Sequence, residues 1–177
     1  MIRRLSTAFA IVSLCLTVAP GAAAQTHTVA GSVPILIDIP KIGTHASVVP
    51  LGLDTDGSMS APTDPDTVGW FSAGVGVGSP GNVLLDGHVD WGGQLRVFGL
   101  MRDLQPGDQV QITDVNGNVL SYAVQWVQLF DTNAAPLDQI FGQTGDEEIT
   151  LITCGGVFDR SAHMYLSRWV VRAVRAS

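Results

Sequence analysis

Short apolar runs separated by turn residues dominate the chain from Val33 to Val174. They occur in "VPILIDIPKIG", "ASVVPLGLD", "PGNVLLDG", "EITLITC" and "RWVVRAV", and each is rich in Val, Ile, Leu or Thr. Gly, Pro, Asn or Asp residues bound the runs, which is the pattern of β-strands joined by tight turns. With the two runs in "DQVQITDVNGNVLSYAVQWVQLF", the pattern predicts about seven or eight strands.

The connections between these runs predict one hairpin and up to two short helices. Asn116 and Gly117 lie between two alternating runs and suit a two-residue type I′ turn. Apolar residues recur at roughly helical spacing in "LRVFGLMRDLQPGD", and "APLDQIFG" indicates a second short helix. Because one core must cover so many short strands, a closed or nearly closed barrel is favoured over an open sheet. The predicted fold is therefore an all-β barrel with one or two short helices.

The first 24 residues have the features of an export signal. Arg3 and Arg4 precede an apolar run from Leu5 to Ala19, and a Pro-Gly break leads to three alanines at 22–24. The run is short for a membrane span of about 20 residues, and the alanines suit a cleavage site. Cleavage is therefore favoured over an uncleaved N-terminal membrane anchor. In both cases we expect an exported protein, extracellular or at the cell surface.

The length of the chain indicates how many domains it forms, and its charge indicates which partners are excluded. After a signal peptide or anchor at 1–24 and a polar linker at 25–32, residues 33–177 are enough for one domain with one core. Removal of the two leader arginines lowers the net charge from −7 to −9, so the exported domain is acidic. An acidic surface repels phosphate backbones, which argues against nucleic acid as a partner.

Cys154 is the only cysteine that a cleaved chain retains, because Cys15 lies in the leader. An intramolecular disulfide is then excluded, so Cys154 is a reactive thiol, an intermolecular link or a buried residue. It ends a β-rich run and precedes Gly155 and Gly156, which permit a sharp turn that brings backbone N–H groups near the sulfur. That arrangement suits a nucleophile beside an oxyanion site. A small buried hydrophobe is the structural alternative.

His88 and Arg168 are the candidates for proton transfer and charge stabilisation. His88 follows a β-run and a glycine in "LLDGHVDW", so its imidazole is presented in a loop. Arg168 opens "RWVVRAV", and its guanidinium can hold a carbonyl oxygen or lower the pKa of a thiol. Each of the two residues could instead be a structural residue at the end of a strand. Arg172 lies on the same face of an extended strand as Arg168, so alternation does not show which of the two arginines belongs to the site. The competing residues are His27, His45, His163, Arg160 and Arg172.

Three segments resemble the signature segments of sortases, the cysteine transpeptidases of bacterial surfaces. In chain order they are "GHVD" at 87–90, "TLITC" at 150–154 and "RWVVRA" at 168–173. The opening "VPILIDIPKIG" and the approach "PGNVLLDGHVD" are also similar to that family, and the continuation "CGGVFD" resembles its classes E and F. The resemblance implies an eight-stranded β-barrel. It also implies that Cys154 is the nucleophile, His88 the proton-transfer residue and Arg168 the residue that positions substrate and oxyanion.

The same resemblance implies a substrate and partners. Sortases cleave a peptide sorting signal resembling Leu-Pro-x-Thr-Gly between Thr and Gly, form a thioacyl-enzyme, and transfer the acyl group to an amine. The acceptor amine belongs to the cell envelope or to another surface protein, such as a pilin-like protein. We expect no cofactor and no metal for this chemistry. Asp146, Glu147 and Glu148 form an acidic run that could bind calcium, and a solvated turn is the alternative that the sequence favours.

Two other functions remain open from the sequence. A secreted cysteine peptidase on the same scaffold would use water as the acceptor, and a non-catalytic β-barrel that binds a peptide or glycan would leave Cys154 merely buried. L,D-transpeptidases also carry an exported cysteine on a β scaffold. Their motif has a histidine, a serine and a glycine just before the cysteine, and "TLITCGG" lacks that pattern.

Overall fold

A computed structural model describes residues 30–176. The predictions for the leader at 1–24 and for most of the linker at 25–32 lie outside these residues. The strands, in chain order, are β1 (Pro34–Ile39), β2 (Thr44–Leu51), β3 (Val68–Phe71), β4 (Gly81–Gly87), β5 (Asp90–Trp91), β6 (Gln94–Leu95), β7 (Gln109–Asp114), β8 (Val119–Asp131), β9 (Glu147–Asp159) and β10 (Met164–Arg175). Eight of them close into a barrel in the order β1-β2-β3-β4-β9-β10-β8-β7, and β5 pairs with β6 in a separate ribbon. The closed all-β barrel that the sequence predicts is therefore confirmed.

Two of the eight barrel pairings are parallel and the rest are antiparallel. The parallel pairs are β2 with β3 and β4 with β9. Between β4 and β9 the chain forms β7 and β8, which close the barrel on its far side. The parallel β4–β9 pair matters most for the site, because parallel neighbours carry their C-terminal ends to the same edge of a sheet.

The barrel interior is the main hydrophobic core. Strand residues alternate between the interior and the outer surface, and the large inward-facing side chains are removed from solvent. The fully buried members from four of the strands are Ile37, Ile39, Val83, Leu85, Val110, Ile112, Ile149 and Leu151.

A second, smaller cluster lies outside the barrel under the helix α1 (Leu137–Phe141). Ile140 of this helix packs on Ile152 of β9 and Val170 of β10, and all three are buried. The outer face of β9 and β10 is thus covered at this point. No helix within residues 30–176 is long and apolar enough to cross a membrane.

The stretch "LRVFGLMRDLQPGD" does not form the predicted helix, whereas the predicted second helix is present as α1. The helical element in this stretch is a 3₁₀ turn, Met101–Asp103. Phe98, Met101 and Leu104 are buried at a spacing of three residues. Side chains at this spacing align on one side of a 3₁₀ turn, so the apolar pattern here belongs to a tight turn that lies on the core.

The hairpin between β7 and β8 also differs from its prediction. A type I′ turn requires positive φ at both Asn116 and Gly117, but only Gly117 has one, at 82°. The connection is longer, at 115–118. The Asp114 carboxylate accepts hydrogen bonds from the backbone N–H groups of Asn116 and Asn118, at 2.9 and 2.8 Å. This side-chain capping satisfies the loop backbone without a second left-handed residue.

The two glutamates of the acidic run begin β9, whereas Asp146 is exposed in the bend before it, so only Asp146 fits the solvated turn that the sequence favoured. Glu147 accepts a hydrogen bond of 2.7 Å from the Tyr122 hydroxyl and lies 3.6 Å from the Arg175 guanidinium. Glu148 is buried and forms an ion pair with Arg172. Both glutamates therefore already have partners within the protein.

Candidate active site

The end of β4 and the middle of β9 meet at one edge of the barrel. The parallel register sets Asp86 opposite Ile152. One residue further along, the buried Thr153 hydroxyl donates a hydrogen bond of 2.6 Å to the Gly87 carbonyl. This bond holds the last residue of β4 against β9, so His88 leaves the strand close to the cysteine that follows Thr153.

Arg168 approaches the same position from the other side of β9. Arg168 and Cys154 are direct partners in the antiparallel β9–β10 pair, and opposed residues in a sheet have Cβ atoms about 5 Å apart. Nη1 of Arg168 donates to the carbonyl oxygens of Tyr165 and Ser167, each at 3.0 Å. Nε and Nη2 of Arg168 take no part in these two hydrogen bonds. The structure therefore brings all three sequence-predicted site residues, Cys154, His88 and Arg168, to one edge of the barrel.

The glycines after the thiol form a bulge within a continuing strand. The sequence analysis ended the β-run at Cys154, but β9 continues to Asp159. Its pairing with β10 shifts after Gly155, and Gly156 has a φ of 75°, which is the left-handed conformation that glycine supplies at a bulge. A Cβ on Gly155 would lie 2.4 Å from Cδ1 of Trp169. Cys154 and Gly155 still pair with β10, whereas Gly156 and Val157 have no partner in the ladder, so the bulge frees backbone polar groups two and three residues after the thiol.

Cys154 is half-buried, and burial raises the pKa of its thiol. The positive charge of Arg168 lowers this pKa, whereas the carboxylates of Asp86 and Asp90 raise it. Because burial is the largest influence, the thiol is protonated near neutral pH. The sulfur must therefore lose its proton during any reaction in which it acts as a nucleophile.

His88 is held by one hydrogen bond and one aromatic contact. Its Nε2 lies 2.7 Å from the carbonyl oxygen of the buried Pro62, and the imidazole packs edge-on against Trp91 with centroids 5.1 Å apart. A carbonyl oxygen only accepts, so Nε2 carries the hydrogen in this contact. A neutral His88 then keeps its lone pair on Nδ1, which is the nitrogen available for proton transfer.

Two carboxylates near the thiol were missed by the sequence analysis. Asp86 and Asp90 lie two residues before and after His88. Burial raises the pKa of Asp86 to about 7, although electrostatic interactions with His88 and Arg168 lower it. Asp90 accepts a hydrogen bond of 3.1 Å from the Tyr165 hydroxyl. The spacing of two residues in "LLDGHVD" was the available indication, because such residues share one face of an extended chain.

One cleft lies over β4 and α1, and a second adjoins the two glycines that follow Cys154. The first cleft has a volume of about 540 Å³, and we call it the apolar cleft. It is lined on the β4 side by Leu84, which lies two residues before Asp86 on the outer face of that strand. Its apolar lining consists of Leu53, Met59, Phe71, Leu84, Leu137 and Phe141. The second, of about 180 Å³, is lined by Asp90, Gly155, Gly156 and Arg102 among others, and we call it the polar cleft.

The competing histidines and arginines lie away from the thiol or have other partners. Arg172 is buried and forms its ion pair with Glu148 of β9. His45 is exposed and contacts Asp38, and both His163 and Arg160 are exposed in the β9–β10 connection. His27 lies outside the described residues.

Comparison with known proteins identifies the barrel. A family model described as "Sortase domain" matches residues 37–176. No curated protein matches the chain. Among solved structures, a Clostridium perfringens Sortase D5 transpeptidase is similar with a TM-score of 0.61 and 23% identity, over 82% of this chain and 79% of that chain. Sortase A from Listeria monocytogenes is similar with a TM-score of 0.61 and 22% identity, over 82% of this chain and 88% of that chain.

A lid mutant of sortase A from Corynebacterium diphtheriae gives a TM-score of 0.61 at 23% identity, over 82% of this chain and 70% of that chain. At these identities the structural matches establish the fold, and the family assignment rests on the domain match. That match covers most of the chain and includes the three segments that meet at the barrel edge. The chain therefore belongs to the sortase family.

Proposed function

We propose that this protein is a cysteine transpeptidase that cleaves a sorting signal resembling Leu-Pro-x-Thr-Gly between Thr and Gly. In this proposal Cys154 is the nucleophile, His88 transfers protons and Arg168 positions the substrate carbonyl. The observation that carries it is the meeting of these three residues on neighbouring chain segments at one barrel edge. Membership of the sortase family supports the same chemistry.

The first half of the reaction forms a thioester. The thiol proton passes to Nδ1 of His88 as the sulfur attacks the carbonyl carbon of the scissile bond. The resulting oxyanion accepts hydrogen bonds from Arg168 and from a backbone N–H near Gly155, and one such donor typically contributes about 10²- to 10³-fold in rate. The C–N bond then breaks, and the imidazolium gives its proton to the leaving amine. General acid–base catalysis of this kind contributes about 10²- to 10⁴-fold.

The second half transfers the acyl group. Neutral His88 accepts a proton from the incoming amine as its nitrogen attacks the thioester carbonyl, and the new amide forms as the sulfur leaves. Cys154 then recovers its proton. Because the resting thiol is neutral, each turnover begins with proton transfer between Cys154 and His88, and this step favours slow turnover.

The two clefts support an orientation for the substrates. The apolar lining of the first cleft suits the Leu-Pro part of the signal. The polar cleft contains Asp90 and Arg102 and suits the leaving peptide and the incoming amine. The acyl part would then run along β4 and β9 past Asp86, and the acceptor would approach from the side of Gly156.

The finer assignments belong to the same proposal. We assign the protein to class E or F of the family because "CGGVFD" follows the β-rich run as in those classes. The acceptor is an amine of the cell envelope or of another surface protein. The N-terminal segment exports the protein and either is removed or anchors it to the membrane.

Product analysis tests this function and separates it from simple hydrolysis. The purified protein is incubated with a fluorogenic Leu-Pro-x-Thr-Gly-like peptide, with and without triglycine as the amine, and the products are identified by mass spectrometry. A transpeptidase gives a ligated product that increases with amine concentration, and Cys154→Ala and His88→Ala abolish it. Cleavage that yields only the free acid at every amine concentration would instead identify a cysteine peptidase.

A further inference from the structure

Asp86 faces the outer surface of the barrel between the thiol and the apolar cleft. Its neighbours Leu85 and Gly87 are buried toward the interior, and alternation directs the Asp86 side chain outward. Leu84, two residues earlier on the same face, lines the apolar cleft. Asp86 is therefore part of the surface along which an acyl chain must extend between that cleft and Cys154.

The Asp86 carboxyl is surrounded mainly by apolar groups. On one side its partner is Ile152 of β9, and on the other side it is Gly69 of β3. A Cβ on Gly69 would meet the side chains of Leu51 and Pro62, at 2.0 and 3.3 Å, so these side chains cover that flank. Among residues 30–176, no side chain donates a hydrogen bond to Asp86. The titratable or charged groups that act on it are His88, Arg168 and Cys154.

Among the described residues, the backbone N–H of Gly87 is the one hydrogen-bond donor that acts on this carboxyl, and burial outweighs it, so the pKa of Asp86 is raised to about 7. A bound peptide would cover the remaining exposed part and remove more water. A hydrogen-bond acceptor that loses water on peptide binding without gaining a donor makes the free energy of binding less favourable. This cost is removed if the peptide supplies the donor. A site of this kind discriminates strongly against ligands that lack the donor group.

We propose that Asp86 is a specificity-determining residue that accepts a hydrogen bond from a side chain on the acyl part of the sorting signal. This inference rests on the proposed function. The donor is a hydroxyl on the residue that contributes the scissile carbonyl, or an ammonium on the residue before it. Burial disfavours the negative charge of Asp86, so an added cation next to this carboxyl is tolerated.

The strand register fixes the reach of this contact. Asp86 is level with Ile152, two residues before Cys154 on the neighbouring strand. Two residues of extended chain span about 7 Å. A peptide that lies extended along these strands with its scissile carbonyl at Cys154 therefore has its last or second-last acyl residue next to Asp86.

Two matched peptide pairs test the inference. The first pair carries threonine or valine at the scissile residue, which changes only the hydroxyl. The second carries lysine or norleucine at the residue before it. We measure kcat/KM for each peptide with the native protein, Asp86→Ala, Asp86→Asn and the control Asp90→Asn, which changes a carboxylate on the polar-cleft side.

For at least one pair we expect the native protein to prefer the donor peptide by about 10- to 100-fold. Asp86→Ala should reduce this ratio to less than about threefold, Asp86→Asn should retain part of it through its amide oxygen, and Asp90→Asn should leave it unchanged. The native ratio should also rise between pH 6 and pH 8 as Asp86 ionises, an effect that a purely structural role would not give. Ratios in Asp86→Ala equal to the native ratios overturn the inference while the proposed function stands. Absence of any acyl-enzyme in the native protein overturns both.

Discussion

The raised pKa of Asp86 makes a quantitative prediction about stability. The carboxyl has an ordinary pKa of 3.8 in the unfolded chain and about 7 in the folded protein. Between these two values the folded state binds the proton more tightly than the unfolded state does, so the free energy of unfolding falls as the pH rises. Asp86→Asn removes this dependence, since an amide does not titrate.

The magnitude follows from the difference between the two pKa values. One pKa unit corresponds to 1.36 kcal/mol, so the full difference is about 4 kcal/mol. Because the side chain is half-buried and water screens part of the effect, we expect about 2 kcal/mol. The free energy of unfolding of Asp86→Asn, minus that of the native protein, should therefore be about 2 kcal/mol larger at pH 8 than at pH 4.5. This change corresponds to about 4–8 °C in Tm.

Urea unfolding of the two proteins at pH 4.5, 6 and 8 measures this difference. Asp159→Asn is the control, because hydrogen bonds from Ser161 lower the pKa of the Asp159 carboxyl below its ordinary value of 3.8. The stability that Asp159 contributes is therefore gained below pH 4.5, and the difference between the native protein and Asp159→Asn should stay constant from pH 4.5 to pH 8. A difference between native protein and Asp86→Asn that stays constant across the three pH values would refute the argument that Asp86 is desolvated.

Three further predictions concern the thiol and its supports. Because burial raises the thiol pKa of Cys154, its alkylation rate by iodoacetamide should still increase above pH 9, and a plateau below pH 8 would contradict this. Thr153→Val removes the hydrogen bond to Gly87 and should cost about 1–3 kcal/mol in chemical unfolding, with a lower kcat; unchanged values for both would refute the positioning role. Arg172→Met leaves Glu148 buried without its partner and should cost about 3–5 kcal/mol, so a Tm equal to that of the native protein would contradict a buried pair.

Much of the fold could be predicted because it depends on local pattern. Alternation and turn residues identify the strands, and the number of short runs indicates closure. The exceptions have local causes. The apolar spacing around Met101 fits a 3₁₀ turn as well as a helix, and the Asp114 carboxylate caps a loop that the Asn-Gly pair alone does not specify.

The site was harder to predict, because its parts come together only through long-range pairing. Cys154, His88 and Arg168 could be selected as chemically suitable residues, and the resemblance supplied their order. The parallel register of β4 with β9 is not written in either segment, so the carboxyl of Asp86 could not be assigned to the surface beside the thiol. The distinction between Arg168 and Arg172 likewise required the partner Glu148 on the neighbouring strand.

Intact mass of the protein incubated with pooled Leu-Pro-x-Thr-Gly-like peptides tests the central claim most directly. A parallel sample carries Cys154→Ala. We expect an adduct with the mass of the acyl part of one peptide on the native protein only, and its replacement by a ligated product when an amine is added. If no pool gives an adduct or cleavage, and iodoacetamide fails to label Cys154 in the folded protein, the thiol is not a nucleophile and the transpeptidase assignment is contradicted.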